Sequence, residues 1–314
     1  DLTIIPSIFA TFFIVEFVMG NLGNGFIALV NSVVNIVDWV KRRNISSVDH
    51  ILTALAVSRI SVLWVVFVDW YFFAVYPASL ITECIIRIIY ISWTVTNHFS
   101  IWLATSLSIF YFLKIAVFSN SMFIYLKWRF KKVVSMAMLL SLFLLFLNIL
   151  MINTHINTMI NESRRNASYT FTESTYPQFF RFLLFPSFIF TFIPFIVSLT
   201  AFLLLIFSLW RHLKNMQHST KRCRDISTTA HIKALQIVVV FLMLYICFFL
   251  SIVVVVWASE LENIQIILFA KATLTIFPAV HSCVQILGHS KLRQALHSVV
   301  QWVRFRSDKR PLHP

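Results

Sequence analysis

Glycine, cysteine and charge are all scarce in this sequence. Its 314 residues include only four glycines and four cysteines, and 12% of them are charged against 59% that are hydrophobic. A chain with so little polar surface cannot close around a water-soluble core. The cysteines show no C-x-x-C or other metal-like spacing. The composition therefore argues against a soluble domain and indicates a membrane-embedded chain, for which we expect no metal and no cofactor.

Catalytic motifs are missing as well. No nucleophile–base pattern, pair of carboxylates, glycine-rich phosphate loop or metal motif can be placed in a suitable context. The formal net charge is +14, but the basic residues lie in short clusters between apolar runs and not on a soluble domain. We therefore expect neither an enzyme nor a protein that binds nucleic acid.

What the sequence does contain is a series of long apolar runs bounded by charges. Each run reaches the roughly 20 residues that a helix needs to cross a bilayer. The first run lacks the basic leader and cleavage site of a signal peptide, so we interpret it as a retained span. Together they predict an all-α membrane protein, one seven-helix domain over 1–314. Its spans lie at about 4–34, 51–75, 85–113, 133–153, 181–210, 235–258 and 264–287.

Basic residues and glycosylation motifs predict the orientation. Most of the 26 Lys and Arg follow the first, third, fifth and seventh runs. By the positive-inside rule those segments are cytoplasmic, which places the N-terminus outside the plasma membrane and the C-terminus inside the cell. Asn161 and Asn166 carry N-x-Ser motifs in a predicted outer loop at 154–180, and we expect at least one of them to be glycosylated. Asn44 has the same motif on the predicted cytoplasmic side.

The end of the chain carries an amphipathic segment. Over 290–306, apolar residues recur at helical spacing among Lys and Arg. This pattern predicts a short helix on the inner membrane surface, attracted to anionic membrane lipids. The alternative is a frayed basic tail.

The third run carries a polar stripe. Residues 88–113 include no charged side chain, and the polar positions from Trp93 and Asn97 to Tyr111 share one helical face. Such a face contacts protein, either as packing between helices or as the wall of a pocket. His98 points about 100° away from Asn97, and we expect it to be a packed, hydrogen-bonded histidine.

Ionisable residues inside spans are costly and mark functional candidates. Glu16, Arg59 and Lys271 are the clearest. Arg59 lies roughly 13 Å above the cytoplasmic side and Asn24 a little deeper. We favour a structural hub over ligand binding for Arg59, which could bond Asn24 and backbone carbonyls, or else His281 and its neighbour Ser282.

A second group of candidates lies in one layer roughly 10 Å below the outer surface. Its members are Asp69, Trp70, Trp93, Asn97, Phe248 and Lys271. Lys271 either faces a pocket, where its charge would favour acidic ligands, or extends outward to Glu260 or Glu262. We take this layer as the candidate ligand-binding site.

Motifs along nearly the whole chain carry a family resemblance. They include 20–27 (GNLGNGFI), 52–59 (LTALAVSR), 97–99 (NHF), 103–106 (LATS), 110–116 (FYFLKIA) and 126–129 (LKWR). In these stretches the sequence resembles the type 2, or bitter, taste receptors, which are seven-helix G-protein-coupled receptors. It departs from their usual pattern at Phe248, often Tyr, at Gln285, usually apolar, and at His289, usually Asn.

The resemblance implies an agonist-binding site on one side of the membrane and a G-protein-coupling surface on the other. Small bitter agonists would bind from outside between the third, fifth, sixth and seventh spans, at Trp93, Asn97 and Lys271 and at Trp70 of the second. A heterotrimeric G protein of inhibitory type, such as gustducin, would couple to the inner ends of the helices. The residues implied there are Tyr111, Lys114, His212 and His231.

Two alternatives remain at this point. A vomeronasal type 1 receptor shares the pattern of Pro278 with 281–282, although the runs at 52–59 and 110–116 favour the taste family. A channel or transporter would need a water-filled path or helices broken at the midplane. Pro194 and Pro278 could kink two helices, but such kinks are also common in receptors.

Overall fold

The computed structural model describes residues 4–42, 47–75, 83–116, 118–165, 175–217, 224–260 and 264–308. Within these ranges every regular element is an α-helix. The helices are α1 (Ile4–Val40), α2 (Ser47–Val75), α3 (Glu83–Ile115), α4 (Ser121–Trp128), α5 (Phe130–Arg165), α6 (Thr175–Gln217), α7 (Arg224–Glu260), α8 (Ile264–Gly288) and α9 (Ser290–Asp308). The predicted seven-helix bundle with a C-terminal helix is confirmed, since seven of these helices are long and pack together.

The long helices carry the predicted membrane spans. Six of the described helices contain a stretch that is long and apolar enough to cross a membrane. The stretches are Ile8–Val40, Val48–Phe72, Arg87–Ile115, Phe130–Thr158, Phe188–Arg211 and Leu235–Val255. α8 packs along α1 and α7 and completes the seven. The helices run past the predicted apolar limits because a helix satisfies its own backbone hydrogen bonds on either side of the apolar layer.

Because the helices are longer than the apolar runs, part of the segment at 154–180, predicted as an outer loop, is helical. α5 continues to Arg165, so Asn161 lies exposed on the last turns of a helix and not in a loop. The hydroxyls of Thr154 and Thr158 hydrogen-bond carbonyls one turn back, which lets these polar residues continue the helix. Asn166 and Asn44 lie outside the described residues.

α4 is a short helix that the apolar runs do not predict, since its eight residues cannot span a membrane. Its start is capped by Asn120, whose side chain accepts a hydrogen bond of 2.9 Å from the Met122 backbone N–H. Lys127 Nζ donates to the Ala116 carbonyl at 3.1 Å and ties α4 to the C-terminal end of α3.

α3 lies at the centre of the bundle. It packs against α2, α5 and α6, while α1 packs between α2 and α8, and α7 between α6 and α8. The remaining face of α5 is apolar and exposed at Leu139, Phe143 and Phe146. Exposed apolar residues of this size along a membrane-crossing helix are expected to face lipid.

Two glycines allow α1 to approach its neighbours closely. A Cβ at Gly20 would lie 2.6 Å from Leu63 Cδ1 on α2 and 3.3 Å from Ala279 Cβ on α8, and a Cβ at Gly23 would collide with the Ser282 side chain. Small residues serve this purpose at many helix contacts in membranes. The close approach brings the polar residues of α1 within reach of α8.

α9 is a helix and not a frayed tail. Its first turn is docked, since Leu292 is fully buried in an inner apolar cluster with Ile27, Leu52 and Leu107. Further along α9, the apolar residues are exposed on a helix that also carries Lys and Arg. This is the arrangement that the sequence predicts for a helix lying on a membrane surface.

Candidate functional site

A cavity lies between α2, α3, α7 and α8, and we call it the outer cavity because the distribution of Lys and Arg predicts that this end of the bundle is extracellular. It encloses about 890 Å³ of empty space, counted with the open space at its mouth. Most of its wall is apolar or aromatic, and only a few polar groups face it. These polar lining residues are Asp69, Asn97, Ser100, Lys271 and Thr275. A mostly apolar cavity with a few convergent polar groups is the usual form of a small-molecule site.

Most of the predicted ligand-binding layer meets in this cavity. Asp69, Trp93, Asn97, Phe248 and Lys271 all belong to its lining, although they come from four helices. Two of them, Trp93 and Asn97, stand four residues apart on α3 and therefore share its face toward the cavity. The structure thus brings together five of the six residues that the sequence selects.

The sixth, Trp70, lies elsewhere. Its ring is 5.9 Å from the ring of Phe13 and 6.3 Å from that of Phe67, in an aromatic cluster between α1 and α2. Adjacent residues on a helix point about 100° apart, so Asp69 faces the cavity while Trp70 does not. No described residue of α6 lines this cavity, and the part of the fifth span in ligand binding stays a prediction.

The polar stripe of α3 changes role with depth. Its upper part lines the cavity. Lower down, Ser198 Oγ on α6 donates a hydrogen bond of 2.9 Å to Thr105 Oγ1, and Ser108 Oγ lies 3.3 Å from Ser198 Oγ. Helix packing and pocket lining, which were alternatives in the sequence, therefore both occur on one helix.

Lys271 is paired inside the cavity. Its Nζ lies 3.1 Å from Asp69 Oδ2, and each side chain is about a quarter exposed, at 24% and 25%. The alternative partners suggested by the sequence, Glu260 and Glu262, have side chains outside the described part of the chain. Since Asp69 balances the charge of Lys271, the reason for expecting a preference for acidic ligands is lost.

Arg59 and Asn24 form a buried layer below the cavity, and both are fully buried. Arg59 Nη1 donates to Gln285 Oε1 at 3.3 Å, and its guanidinium lies 5.3 Å from the centre of the Phe277 ring. Asn24 Nδ2 donates to the Pro278 carbonyl at 3.0 Å. The bonds that the structure describes therefore tie each residue to α8, and not to each other as the sequence suggested.

His281 belongs to the same layer. Its ring stacks on Phe241 with centroids 4.3 Å apart and lies 5.1 Å from the Phe277 ring. Gln285, the hydrogen-bond partner of Arg59, was visible in the sequence only as a departure from the family pattern. Its role depends on the pairing of α2 with α8, which no local motif shows.

Glu16 is a further residue whose place the sequence left open. It is buried, and its carboxyl group hydrogen-bonds the hydroxyl of Thr275, a residue of the cavity wall. The sequence did mark Glu16 as a functional candidate, because it is an ionisable residue inside a span. Its partner could not be named before the structure placed α1 against α8.

The implied G-protein-coupling residues belong to the end of the bundle that the charge distribution predicts to be cytoplasmic. Tyr111 is half-buried between the apolar cluster around Leu292 and a second apolar cluster that includes Leu205 and Phe241. Lys114 is exposed, with its Nζ 5.2 Å from the centre of the Phe110 ring. His212 and His231 belong to α6 and α7, but their side chains lie outside the described residues.

A bundle of seven membrane-crossing helices with a ligand-sized cavity between four of them has the architecture of a seven-helix transmembrane receptor. A family model described as taste receptor protein (TAS2R) matches residues 2–304. Taste receptor type 2 member 14 of Macaca mulatta is 52% identical over 96% of this chain and 94% of its own length. The human member 14 is 51% identical over the same shares. Member 140 of Rattus norvegicus is 55% identical over 93% of this chain and 92% of its own length.

The chain belongs to the taste receptor family. It is a bitter-taste type of G-protein-coupled receptor, and the family is one of receptors and not of enzymes. The match over nearly the whole chain decides against the vomeronasal, channel and transporter alternatives.

Proposed function

We propose that the outer cavity binds small bitter agonists and that binding activates a heterotrimeric G protein of inhibitory type, such as gustducin. The observation that supports this most directly is the convergence of Trp93, Asn97 and Phe248 on one ligand-sized cavity. Trp93 offers a flat apolar face, and Asn97 beside it offers both a donor and an acceptor. Phe248 adds a second aromatic surface.

The ion pair suggests which agonists fit. Asp69 and Lys271 balance each other at the cavity wall, and the other polar lining residues are uncharged. A charged ligand would have to leave water and compete with an existing pair, whereas an uncharged one would not. We therefore propose that the preferred agonists are uncharged, largely apolar molecules with one or two hydrogen-bonding groups.

Coupling across the membrane follows from the path of the helices. α3 and α8 line the cavity and also reach the inner apolar cluster near α9. An agonist activates only to the extent that it binds the active arrangement better than the resting one. We propose that four residues face the G protein at the cytoplasmic side: Tyr111, Lys114, His212 and His231. In this orientation the N-terminus lies outside the plasma membrane, and anionic lipids surround α9.

The experiment compares two tryptophans of the same layer. Cells expressing the receptor with gustducin receive a panel of bitter compounds, and calcium responses are recorded with surface expression measured in parallel. Trp93→Ala is expected to weaken most agonists at least about tenfold, because burial of an aromatic ring contributes a few kcal/mol. Trp70→Ala, whose ring packs on Phe13 and Phe67, is the matched control and should leave potency nearly unchanged.

Equal losses in the two variants, at equal surface expression, would contradict the proposed site. Responses that persist when gustducin is replaced by a stimulatory G protein, and that vanish with gustducin, would contradict the proposed coupling. The two readouts are independent, so either part can fail alone.

A further inference from the structure

Three exposed cations lie where α4 meets α5: Arg129, Lys131 and Lys132. The nearby Lys127 is already used by the fold, because its Nζ donates to the Ala116 carbonyl. The sequence contains no Asp or Glu from position 84 to position 161, and none of the ion pairs described in the chain includes the three cations. Their charge is therefore available to a partner.

Two of these cations are neighbours. The Lys132 backbone N–H donates to the Arg129 carbonyl at 2.9 Å, so the two residues stand one tight turn apart. Side chains at this spacing are adjacent. The Arg129 guanidinium lies 5.2 Å from the centre of the Tyr125 ring, a contact that limits its movement. A guanidinium with an ammonium group beside it is well suited to bind a phosphate group.

The cations also continue the exposed apolar face of α5. Met136, Leu139 and Phe143 follow Lys132 at spacings of four, seven and eleven residues, so all four share one side of the helix. The three apolar residues are exposed along a membrane-crossing helix and are expected to face lipid. A lysine at the end of such a face extends toward the lipid headgroups.

α4 adds apolar surface beside these cations. Trp128, immediately before Arg129, is 81% exposed, and Met122 and Ile124 are exposed on the same short helix. Exposed tryptophans are typical of the boundary between membrane and water. Cations next to apolar side chains at this boundary favour an anionic lipid, which has both a charged headgroup and acyl chains, over a soluble phosphate.

We propose that the corner between α4 and α5 binds phosphoinositide lipids, whose inositol ring carries phosphate monoesters. Arg129, Lys131 and Lys132 bind the phosphates, while Trp128 and the exposed face of α5 contact the acyl chains. Three clustered cations match a headgroup with several negative charges, whereas phosphatidylserine carries a single net charge. This surface is separate from α9 and its anionic lipids, and lipid binding here does not depend on agonist binding in the outer cavity.

Competition between lipids tests the chemistry. The full chain in phosphatidylcholine nanodiscs is titrated with a fluorescent, short-chain phosphatidylinositol bisphosphate, and fluorescence polarisation is recorded against empty nanodiscs. The unlabelled bisphosphate lipid is expected to compete at least about tenfold better than short-chain phosphatidylserine or phosphatidylinositol. Equal competition by the three lipids would overturn the proposal. So would equal competition by free inositol trisphosphate, which lacks the acyl chains and would indicate a site for soluble phosphates.

Matched variants locate the binding. Lys131→Gln/Lys132→Gln removes two adjacent cations and is expected to weaken binding of the bisphosphate lipid about tenfold or more. Lys41→Gln/Arg42→Gln removes two adjacent exposed cations after α1 and should change it less than about twofold. Equal losses in the two variants would indicate diffuse attraction by charge and refute the site. Melting temperatures verify folding, and unaltered binding in folded Lys131→Gln/Lys132→Gln also refutes it.

A G protein is the competing partner for this corner. Agonist-stimulated nucleotide exchange on purified G protein is measured in the same phosphatidylcholine nanodiscs, which contain no phosphoinositide. Lys131→Gln/Lys132→Gln is expected to support exchange at the rate of the parent receptor. Lost exchange together with unaltered binding of the bisphosphate lipid would assign the corner to the G protein and overturn the proposal.

Discussion

At the scale of single residues, the pair of Asp69 and Lys271 determines the net charge of the outer cavity wall and therefore which ligand charges it favours. Both were candidates by depth, but the sequence did not show that they would meet. In the structure their side-chain atoms lie 3.1 Å apart. The pair is partly exposed, so its contribution to stability is modest. Its larger effect is to make the cavity wall neutral.

Removing one partner is therefore predicted to change ligand preference. Asp69→Asn leaves the lysine without its carboxylate and should improve responses to acidic agonists about fivefold, the effect of roughly 1 kcal/mol. Lys271→Met should favour cationic agonists by a similar factor. Dose–response curves for matched acidic, basic and uncharged compounds measure this.

The double variant Asp69→Asn/Lys271→Met is the control. It restores neutrality, so its ranking of agonists should return to that of the parent receptor. An Asp69→Asn receptor that still ranks acidic and uncharged agonists as before would show that the pair does not contribute to selectivity.

At the scale of elements, an ion pair holds the corner between α8 and α9 against α2. Lys291 Nζ on α9 lies 2.9 Å from Asp49 Oδ2 in the first turn of α2, and the Asp49 side chain is 2% exposed. His289 stands at this corner, where the family usually has Asn. The contact fixes where α9 leaves the bundle.

His289 makes this corner sensitive to acid. Burial lowers its pKa, the Asp49 carboxylate acts in the opposite direction, and the positive charges of Lys291 and Lys114 act in the same direction as burial. An unfolded histidine titrates near 6.5. Below that pH the unfolded chain takes up a proton that the folded corner resists, so we predict that stability falls as pH drops through this range.

Thermal unfolding of the purified receptor at pH 7.5 and pH 5.5 tests this prediction. His289→Asn, which introduces the usual family residue, should reduce the loss of melting temperature on acidification. His297→Asn, exposed on α9, is the matched control. An identical acid-induced loss in the parent and in His289→Asn would rule out the proposed role of this corner.

At the scale of the whole molecule, orientation in the membrane is the main prediction still to be tested. Charge distribution predicts that the outer end of α5 is extracellular, and Asn161 is exposed there. We predict that Asn161→Gln removes one glycan from receptor made in mammalian cells, seen as a mobility shift that glycosidase treatment abolishes. Asn44→Gln, on the predicted cytoplasmic side, should cause no shift. A glycan on Asn44 would reverse the topology.

The sequence was sufficient to group the candidates by their level along the helices but not to give the direction in which each side chain points. Counting residues along a helix placed Asp69, Trp70 and Trp93 in one layer, and the structure keeps two of them at the cavity. Trp70 turns toward α1 because direction depends on the packing of α2 against its neighbours. The same limit explains Arg59, whose burial could be predicted from the sequence and whose partner Gln285 could not.

By itself the sequence determined the class of the molecule, because apolar length, scarce charge and clustered cations depend only on local composition. Its motifs determined the family in the same way. Only the tertiary structure decided which side chains meet: Lys271 with Asp69, and Glu16 with Thr275. These pairings join residues far apart in the chain, and their geometry arises only when the helices pack.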